Sequence, residues 1–273
     1  TEECAMEERI NAAQRVIDEG SKAVVGKKDI LTKIMTAILA GGHVLIEDIP
    51  GTGKTTMALA FSKAMGLKVN RVQFTPDVLP ADLTGFTVYQ KETGRFVYQP
   101  GAVICNLLLA DEINRTSPKT QSALLEVMEE RQVTVDGITH RTGDPFIVIA
   151  TENPAGSAGT QLLPESQLDR FMICVSMGYP TVEEEMEILR RGQTGNRTYE
   201  DVEPVISAAA LLEMRGEAQS IFVHDRICRY IAELAKATRE NEWTELGISP
   251  RGTVALTSMA KAAAWMKGRG YVV

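Results

Sequence analysis

A glycine-rich turn directly behind a short apolar run constrains the fold of this 273-residue chain more than any other feature. The run is HVLI, residues 43–46, and the turn and helix start that follow read EDIPGTGKTT, residues 47–56. When a strand feeds a helix through such a turn, the unpaired N–H groups and the positive dipole end of the helix attract an anion. The sequence therefore predicts a strand, a phosphate-binding turn and a helix in this order.

The residue types of this turn suit a nucleotide with a magnesium ion. Gly51 and Gly53 let the backbone approach phosphate oxygens where a Cβ atom would obstruct it. Lys54 supplies a positive charge for the β- and γ-phosphates, and the hydroxyl of Thr55 is placed to hold Mg²⁺. Asp48 replaces the first glycine of the common pattern, and aspartate tolerates left-handed backbone. The expected nucleotide-binding residues are Pro50, Gly51, Thr52, Gly53, Lys54, Thr55 and Thr56.

A second feature, NLLLADE at residues 106–112, supplies two carboxylates. Its continuous apolar run is typical of a strand that is buried on both faces of a parallel sheet. At the end of this strand, we expect Asp111 to hold Mg²⁺ through water and Glu112 to polarise the attacking water. The spacing of about 55 residues from the turn leaves room for a helix and another strand between the two features. Together they predict binding and hydrolysis of ATP.

Two further regions fit an ATPase but allow other interpretations. The predicted strand IVIATENP, residues 147–154, ends in Glu152 and Asn153. Asn153 can reach the γ-phosphate and the attacking water, or it can be a turn residue before proline. Glu152 is the alternative to Glu112 as the group that polarises water. Arg170, at the end of a predicted helix, is either an arginine finger for a neighbouring subunit's ATP or part of a surface ion pair.

Strands that alternate with helices predict a doubly wound parallel α/β sheet. Strands are expected at 43–47, 69–74, 103–110, 146–151 and 172–176, and helices at 5–19, 31–42, 54–65, 118–131 and 164–170. Alternating residues around turn signals predict hairpins at 86–101 and 132–140. Only helix-like segments follow a break at residues 178–180. We therefore expect a nucleotide-binding core over residues 1–180 and a small all-helical domain over residues 181–273.

Composition narrows the classes of partner. The formal net charge is −7, which argues against sequence-independent binding of DNA or RNA. The four cysteines form no CxxC pair and the three histidines are far apart, so neither predicts a metal site. No apolar stretch long enough to span a membrane and no secretory leader is visible, so we expect a cytoplasmic protein.

The start of the last predicted helix supplies another candidate. Ser249 is a favourable N-cap and Pro250 suits the first helical position, which places Arg251 in the first turn. The helix dipole disfavours a cation there, and a nearby phosphate would offset this penalty. Arg251 is therefore expected either to contact the nucleotide or to be a solvated arginine.

Seven segments together resemble the MoxR-type AAA+ ATPases of the branch with a helix-2 insert. They are EDIPGTGKT, PADLTGF, FVYQPGAV, LLLADEINRTSPKTQSALLEVMEERQVTV, ATENP, LLPESQLDRF and GISPRGTVAL. The resemblance implies an AAA+ core with a helical lid, and ATP and Mg²⁺ as cofactors. The lid of this family continues past the segment that ends this chain at residue 273, so we expect a shortened lid.

The resemblance also implies roles for individual residues. Asn153 becomes the sensor 1 residue, Arg170 the arginine finger and Arg251 the sensor 2 arginine of the lid. The hairpin at 86–101 becomes the helix-2 insert. Arg115 keeps two roles open, contact with a neighbour's nucleotide or a structural ion pair.

The resemblance also predicts where the adenine binds and which partners the protein has. Val24, Val25 and Gly26 fall where such proteins pass the adenine. The protein is expected to form a hexameric ring that remodels or activates client proteins, with a von Willebrand factor A domain protein as a partner. The alternatives are the ATPase subunit of a metal chelatase, which shares this branch, and a nucleic-acid motor, which the acidic charge disfavours.

Overall fold

The computed structural model describes residues 2–47, 53–153, 163–194 and 199–273. Its helices are α1 Glu2–Ala23, α2 Lys28–Leu39, α3 Lys54–Ala64, α4 Pro80–Thr84, α5 Pro118–Glu130, α6 Glu165–Leu168, α7 Val182–Thr194, α8 Ala208–Ser220, α9 Asp225–Glu240 and α10 Pro250–Met266. Its strands are β1 Val44–Glu47, β2 Val69–Gln73, β3 Gly85–Gln90, β4 Arg95–Pro100, β5 Leu107–Asp111, β6 Gln132–Val135, β7 Ile138–Arg141, β8 Ile147–Glu152 and β9 Ile173–Val175.

A five-stranded parallel sheet forms the centre of the protein, in the order β2-β5-β8-β1-β9. The strand before the glycine-rich turn, β1, lies beside β8, and β8 lies beside β5 with its terminal carboxylate. This arrangement confirms the predicted α/β fold. The strand expected from residue 103 begins at Leu107 instead, because residues 102–106 form turns in which Cys105 N–H donates to Val103 O over 2.9 Å.

The central strands fill two hydrophobic cores, one on each face of the sheet. On one face, Val44, Leu107 and Ile149 pack with α1, α2, α3, α8 and α10. On the other face, Leu45 and Leu108 pack with α5 and β6. Burial of each such side chain contributes about 1.5–3 kcal/mol. Because both faces are buried, a shift of any central strand by one residue would misplace side chains in both cores.

Two antiparallel hairpins occupy the positions that the sequence predicts. β3 and β4 pair along their whole length, and the turn between them contains Gly94 with a φ of 64°. β6 and β7 pair around Asp136 and Gly137. Both of these turn residues have positive φ, 50° and 78°, as the central residues of a type I′ turn do.

Four helices, α7 to α10, follow β9. The predicted capping box begins α7: Thr181 N–H donates to Glu184 Oε2 over 2.9 Å, and Glu184 N–H donates to Thr181 Oγ1 over 3.3 Å. α8 and α10 share a core with α1 and α2. Among the helices described, none has the length and apolar character needed to cross a membrane. The division at residue 180 stays a prediction.

The buried side chain of His43, just before β1, connects β8 with α5 through two hydrogen bonds. His43 Nδ1 accepts from Val148 N–H over 3.0 Å, so the opposite nitrogen carries the proton and donates to Met128 O over 3.1 Å. The pKa of His43 is lowered from 6.5 to about 4, mainly by burial of the ring; the hydrogen bond to Met128 O opposes this shift, and the positive charges of Arg131 and Arg215 add to it. The neutral imidazole therefore belongs to the folded state.

This environment predicts a loss of stability in mild acid. The folded pKa of His43 is depressed, so its stabilising effect is complete above pH 6.5 and is lost as the pH falls toward 4. Between pH 7 and pH 4.5, His43 should lower the free energy of unfolding by about 2–3 kcal/mol. The measurement is urea unfolding at both pH values for the parent and for His43→Asn, whose amide oxygen keeps an acceptor near Val148. Equal pH-dependent losses in the two proteins would show that His43 does not contribute.

Candidate active site

The helix behind the glycine-rich turn begins at a glycine with left-handed backbone. Gly53 is the N-cap of α3 with a φ of 83°, and no atom lies within 4 Å of where its Cβ would be. The left-handed backbone, rather than crowding by protein atoms, therefore requires glycine here. Lys54, Thr55 and Thr56 form the first turn of the helix, with Lys54 buried. The other expected cradle residues, Pro50, Gly51 and Thr52, lie outside the described residues, as does Asp48.

Asp111 lies at the carboxyl end of β5. Its side chain is almost fully buried and accepts hydrogen bonds from three other side chains. Its Oδ2 accepts from Thr55 Oγ1 over 3.3 Å and from Arg71 Nε over 2.7 Å. Its Oδ1 accepts from Thr151 Oγ1 over 3.4 Å. These contacts orient the carboxylate toward the helix start that bears Thr55.

The residues at this point fit a magnesium ion. Thr55 and Asp111 offer a hydroxyl and a carboxylate oxygen within one hydrogen-bond length, and oxygen is the ligand type that Mg²⁺ prefers. Within the part of the chain that the structure describes, no group of three or more His, Cys, Asp or Glu residues could hold a metal. A site of few protein ligands is usual where Mg²⁺ also binds substrate phosphates, whose negative charge it neutralises.

Glu112 is held by three side chains beside Asp111. Its carboxylate accepts from Gln73 Nε2 over 3.0 Å, from Arg115 over 2.7 Å and from Asn153 Nδ2 over 3.0 Å. The bond from Arg115, followed by the bond from Asn153, holds the pKa of Glu112 below its usual range. Glu112 is therefore ionised at neutral pH, as a group that accepts a proton from water must be.

The backbone of the central strands supports this pair of carboxylates. Glu112 has a φ of 57°, which is rare for a residue with a side chain. Its N–H donates to Thr151 Oγ1 over 3.0 Å, and the same hydroxyl donates to Asp111. Thr151 and Asn153 come from the end of β8, the neighbouring strand. The structure thus brings Thr55, Asp111, Glu112 and Asn153 together, and the role of each residue stays a prediction.

The structure adds site residues that the sequence analysis missed. Arg71 and Gln73 lie two residues apart on β2, and Gln73 is in register with Asp111. The alternation of VNRVQ could have placed both side chains on one face of a strand. It could not show that β2 is the neighbour of β5. Arg115 forms the structural ion pair, here with Glu112, that the sequence left as one of its two roles.

Glu152 has a different environment from Glu112. It is buried at the end of β8 and lies in register with Glu47 at the end of β1. Burial raises the pKa of Glu152, the negative charge of Glu47 raises it further, and Lys54 acts in the opposite direction. Position rather than pKa favours Glu112 for polarising water, because Thr151 joins it to Asp111 and Asn153 donates to its carboxylate.

Arg170 and Arg251 meet on one carboxylate of α5. Arg170 lies 3.6 Å from Glu129, and Arg251 donates to the other oxygen of the same carboxylate. Ser249 caps α10 as predicted, because its Oγ accepts from Gly252 N–H over 2.9 Å. In this structure the Glu129 carboxylate, rather than a phosphate, offsets the cation at the start of α10. Within the described residues, neither arginine forms an ion pair with Asp111 or Glu112.

The segment expected to pass the adenine lies between α1 and α2. Val24 is buried and Val25 is partly exposed. Gly26 has a φ of 73°, and a Cβ there would lie 1.7 Å from a carboxylate oxygen of Glu184. This segment therefore touches the start of α7. Its contact with adenine stays a prediction.

Comparison with known proteins agrees with this geometry. Residues 43–173 match the ATPase family associated with various cellular activities (AAA), and residues 236–273 match the AAA lid domain. The chain is 47% identical over 259 residues to YeaC of Bacillus subtilis, which covers 95% of this chain and 81% of that protein. It is 37% identical over 273 residues to Chaperone MoxR1 of Mycobacterium tuberculosis, which covers 97% of this chain and 72% of that protein.

A solved structure gives the same result at the level of the fold. A crystal structure of a proposed ATPase from Cytophaga hutchinsonii matches with a TM-score of 0.88 at 39% identity, covering 98% of this chain and 84% of that one. The fold, the site and these matches define an ATP-hydrolysing enzyme of the AAA+ class. More closely, the chain belongs to the MoxR family of AAA+ ATPases.

Substitution of Lys54 and of Glu112 should separate ATP binding from ATP hydrolysis. Lys54→Ala should abolish ATP binding, because the phosphates lose a fixed positive charge. Glu112→Gln should bind ATP normally and hydrolyse it at least ~10²-fold more slowly, because an amide is a poor proton acceptor. Glu152→Gln is the matched control and should hydrolyse ATP close to the parental rate. Fluorescent nucleotide titration and phosphate release measure the two properties. Parental turnover in Glu112→Gln with slow turnover in Glu152→Gln would reassign the base to Glu152.

Proposed function

We propose that this protein uses ATP hydrolysis to remodel or activate partner proteins, and that it works as a hexameric ring of identical subunits. One relative is named Chaperone MoxR1, which supports a protein client. The main structural support is the separation of the charged groups. Arg170 and Arg251 lie together on Glu129, whereas the described contacts of Glu112 and Asp111 involve other residues. In a ring, a second copy of the chain would bring Arg170 to a γ-phosphate.

In the proposed reaction each side chain has one task. Lys54 holds the β- and γ-phosphates from the start of α3. Glu112 accepts a proton from the attacking water, and Asn153 orients that water and the γ-phosphate. Arg170 of the next subunit, as arginine finger, and Arg251, as the sensor 2 arginine, stabilise the charge that develops on the transferred phosphoryl group.

The division into a core over 1–180 and a lid over 181–273 belongs to this proposal. It is supported by the match of residues 236–273 to the AAA lid domain. Gly26 of the proposed adenine segment contacts Glu184 of α7, so nucleotide bound there would touch both parts. A partner with a von Willebrand factor A domain is proposed on the family resemblance alone.

A shared active site can be tested by mixing two inactive variants. Arg170→Ala should bind ATP nearly normally but lose roughly 10³-fold in turnover, as expected for an arginine finger. Mixed with Lys54→Ala, it should regain part of its activity, because its intact cradle can meet the intact Arg170 of the other protein. Turnover of the parent should also rise more steeply than linearly with protein concentration.

The control for this test is an arginine of comparable charge without a proposed role. Arg229, in an exposed ion pair with Glu233 on α9, should tolerate replacement by alanine without loss of turnover. Full turnover in Arg170→Ala together with a specific activity that does not depend on concentration would instead show that each chain completes its own site.

The hairpin of β3 and β4 is the proposed contact for clients. Phe86, Tyr89 and Phe96 are 50%, 51% and 74% exposed, so these rings do not fill a core. Tyr98 anchors the hairpin: its hydroxyl donates to Thr84 O over 2.6 Å, and its ring stacks on His140 with centroids 3.7 Å apart. Large apolar side chains exposed on an anchored hairpin are typical of a surface that binds other proteins.

Proteolysis should show whether this hairpin responds to nucleotide. Trypsin cleavage after Lys91 and Arg95 should differ between Glu112→Gln with ATP and the parent with ADP, because the hairpin would change its exposure with nucleotide state. Cleavage after the exposed Arg229 serves as the internal reference. Mass spectrometry of timed digests gives both rates. Equal relative rates in the two nucleotide states would make the hairpin a static part of the fold.

A further inference from the structure

An arginine outside the predicted site lies on the proposed magnesium ligand. Arg71 Nε donates to Asp111 Oδ2 over 2.7 Å, and Thr55 Oγ1 donates to the same oxygen over 3.3 Å. The guanidinium therefore reaches the side of Asp111 that faces Thr55. A magnesium ion held by both Thr55 and Asp111 would have to bind on this same side of the carboxylate.

The two partners of this ion pair differ in exposure. The side chain of Asp111 is 6% exposed, whereas that of Arg71 is 50% exposed. Arg71 belongs to β2, an edge strand of the sheet, and the exposed half of its side chain faces solvent into which the guanidinium can move. A buried carboxylate needs a nearby positive charge, but an ion pair with one half-exposed partner contributes little and is easily replaced.

We propose that Arg71 is a displaceable counter-ion for Asp111, which holds the carboxylate when the site lacks nucleotide and leaves it when Mg²⁺ and nucleotide bind. The inference rests on the magnesium site of the proposed function. Arg71 and a magnesium-bound water would compete for the same side of one carboxylate oxygen, and the positive charges of the arginine and the metal repel each other. Arg71 therefore competes with the metal and, without metal, offsets the repulsion between Asp111 and the phosphates.

The expected effect is a change in how strongly nucleotide affinity depends on magnesium. We define the magnesium ratio as the Kd of the non-hydrolysable analogue AMP-PNP in EDTA divided by its Kd in Mg²⁺. In Arg71→Gln, the metal loses its competitor and metal-free AMP-PNP loses its compensating cation. Both changes raise the ratio, by about three- to tenfold for a partly exposed charge pair. Isothermal titration calorimetry measures both constants.

Two matched variants separate this role from a general charge effect. Arg71→Lys keeps a cation at the position and should keep a ratio near the parental one. Lys68→Gln removes one positive charge from an exposed residue just before β2 and should leave the ratio unchanged. A parental ratio in Arg71→Gln would overturn the proposal, and so would an equal rise in Lys68→Gln.

A measurement on the parent keeps the proposal testable if Arg71→Gln does not fold. The Nε–H signal of Arg71, assigned by its absence in Arg71→Lys, should move when Mg²⁺ is added to the AMP-PNP complex. A signal that stays in place would overturn the proposal. If parental AMP-PNP binding does not depend on Mg²⁺ at all, the magnesium site itself is wrong. If binding depends on Mg²⁺ but neither the ratio nor the signal changes, only the role of Arg71 is wrong.

Discussion

The site depends on the parallel register of three strands that are buried on both faces. β5, β8 and β1 end at the same edge of the sheet, and their side chains are held by a separate core on each side. Thr151 on the middle strand accepts from Glu112 N–H and donates to Asp111, so the central strand ties the two carboxylates together. The left-handed backbone of Glu112 costs about 1 kcal/mol or more. The folded state can carry this cost because β2 and β8, on either side of β5, hold the backbone in place.

Features with local causes could be predicted from the sequence. The left-handed Gly53 before α3, the apolar strand before Asp111, the Ser249 cap and the Asp136–Gly137 turn each follow from residues that are neighbours along the chain. Features that depend on sheet order could not. Arg71 contacts Asp111 only because β2 pairs with β5, and VNRVQ has no apolar run that indicates its neighbour.

The contact between Glu129 and two arginines is another feature that no local sequence pattern predicts. Its members come from α5, from the end of α6 and from the start of α10. Two guanidinium groups offer ten N–H donors, whereas one carboxylate can accept about four hydrogen bonds. One carboxylate is therefore enough to hold both arginines, and the contact requires three segments that are far apart in the sequence to meet.

The short connection between β2 and the hairpin has a consequence for energetics. Phe74 N–H donates to Asp111 O over 2.8 Å, and Val78 O accepts from Thr120 on α5 over 2.8 Å, just before α4 and β3 begin. The same segment therefore contacts a proposed metal ligand at one end and supports the exposed aromatic rings at the other. Thermodynamic linkage requires coupling between two binding sites to be reciprocal. If nucleotide binding changes the affinity of the hairpin for a client, client binding must change the affinity for nucleotide by the same factor. A client would therefore act on this protein as an effector as well as a substrate.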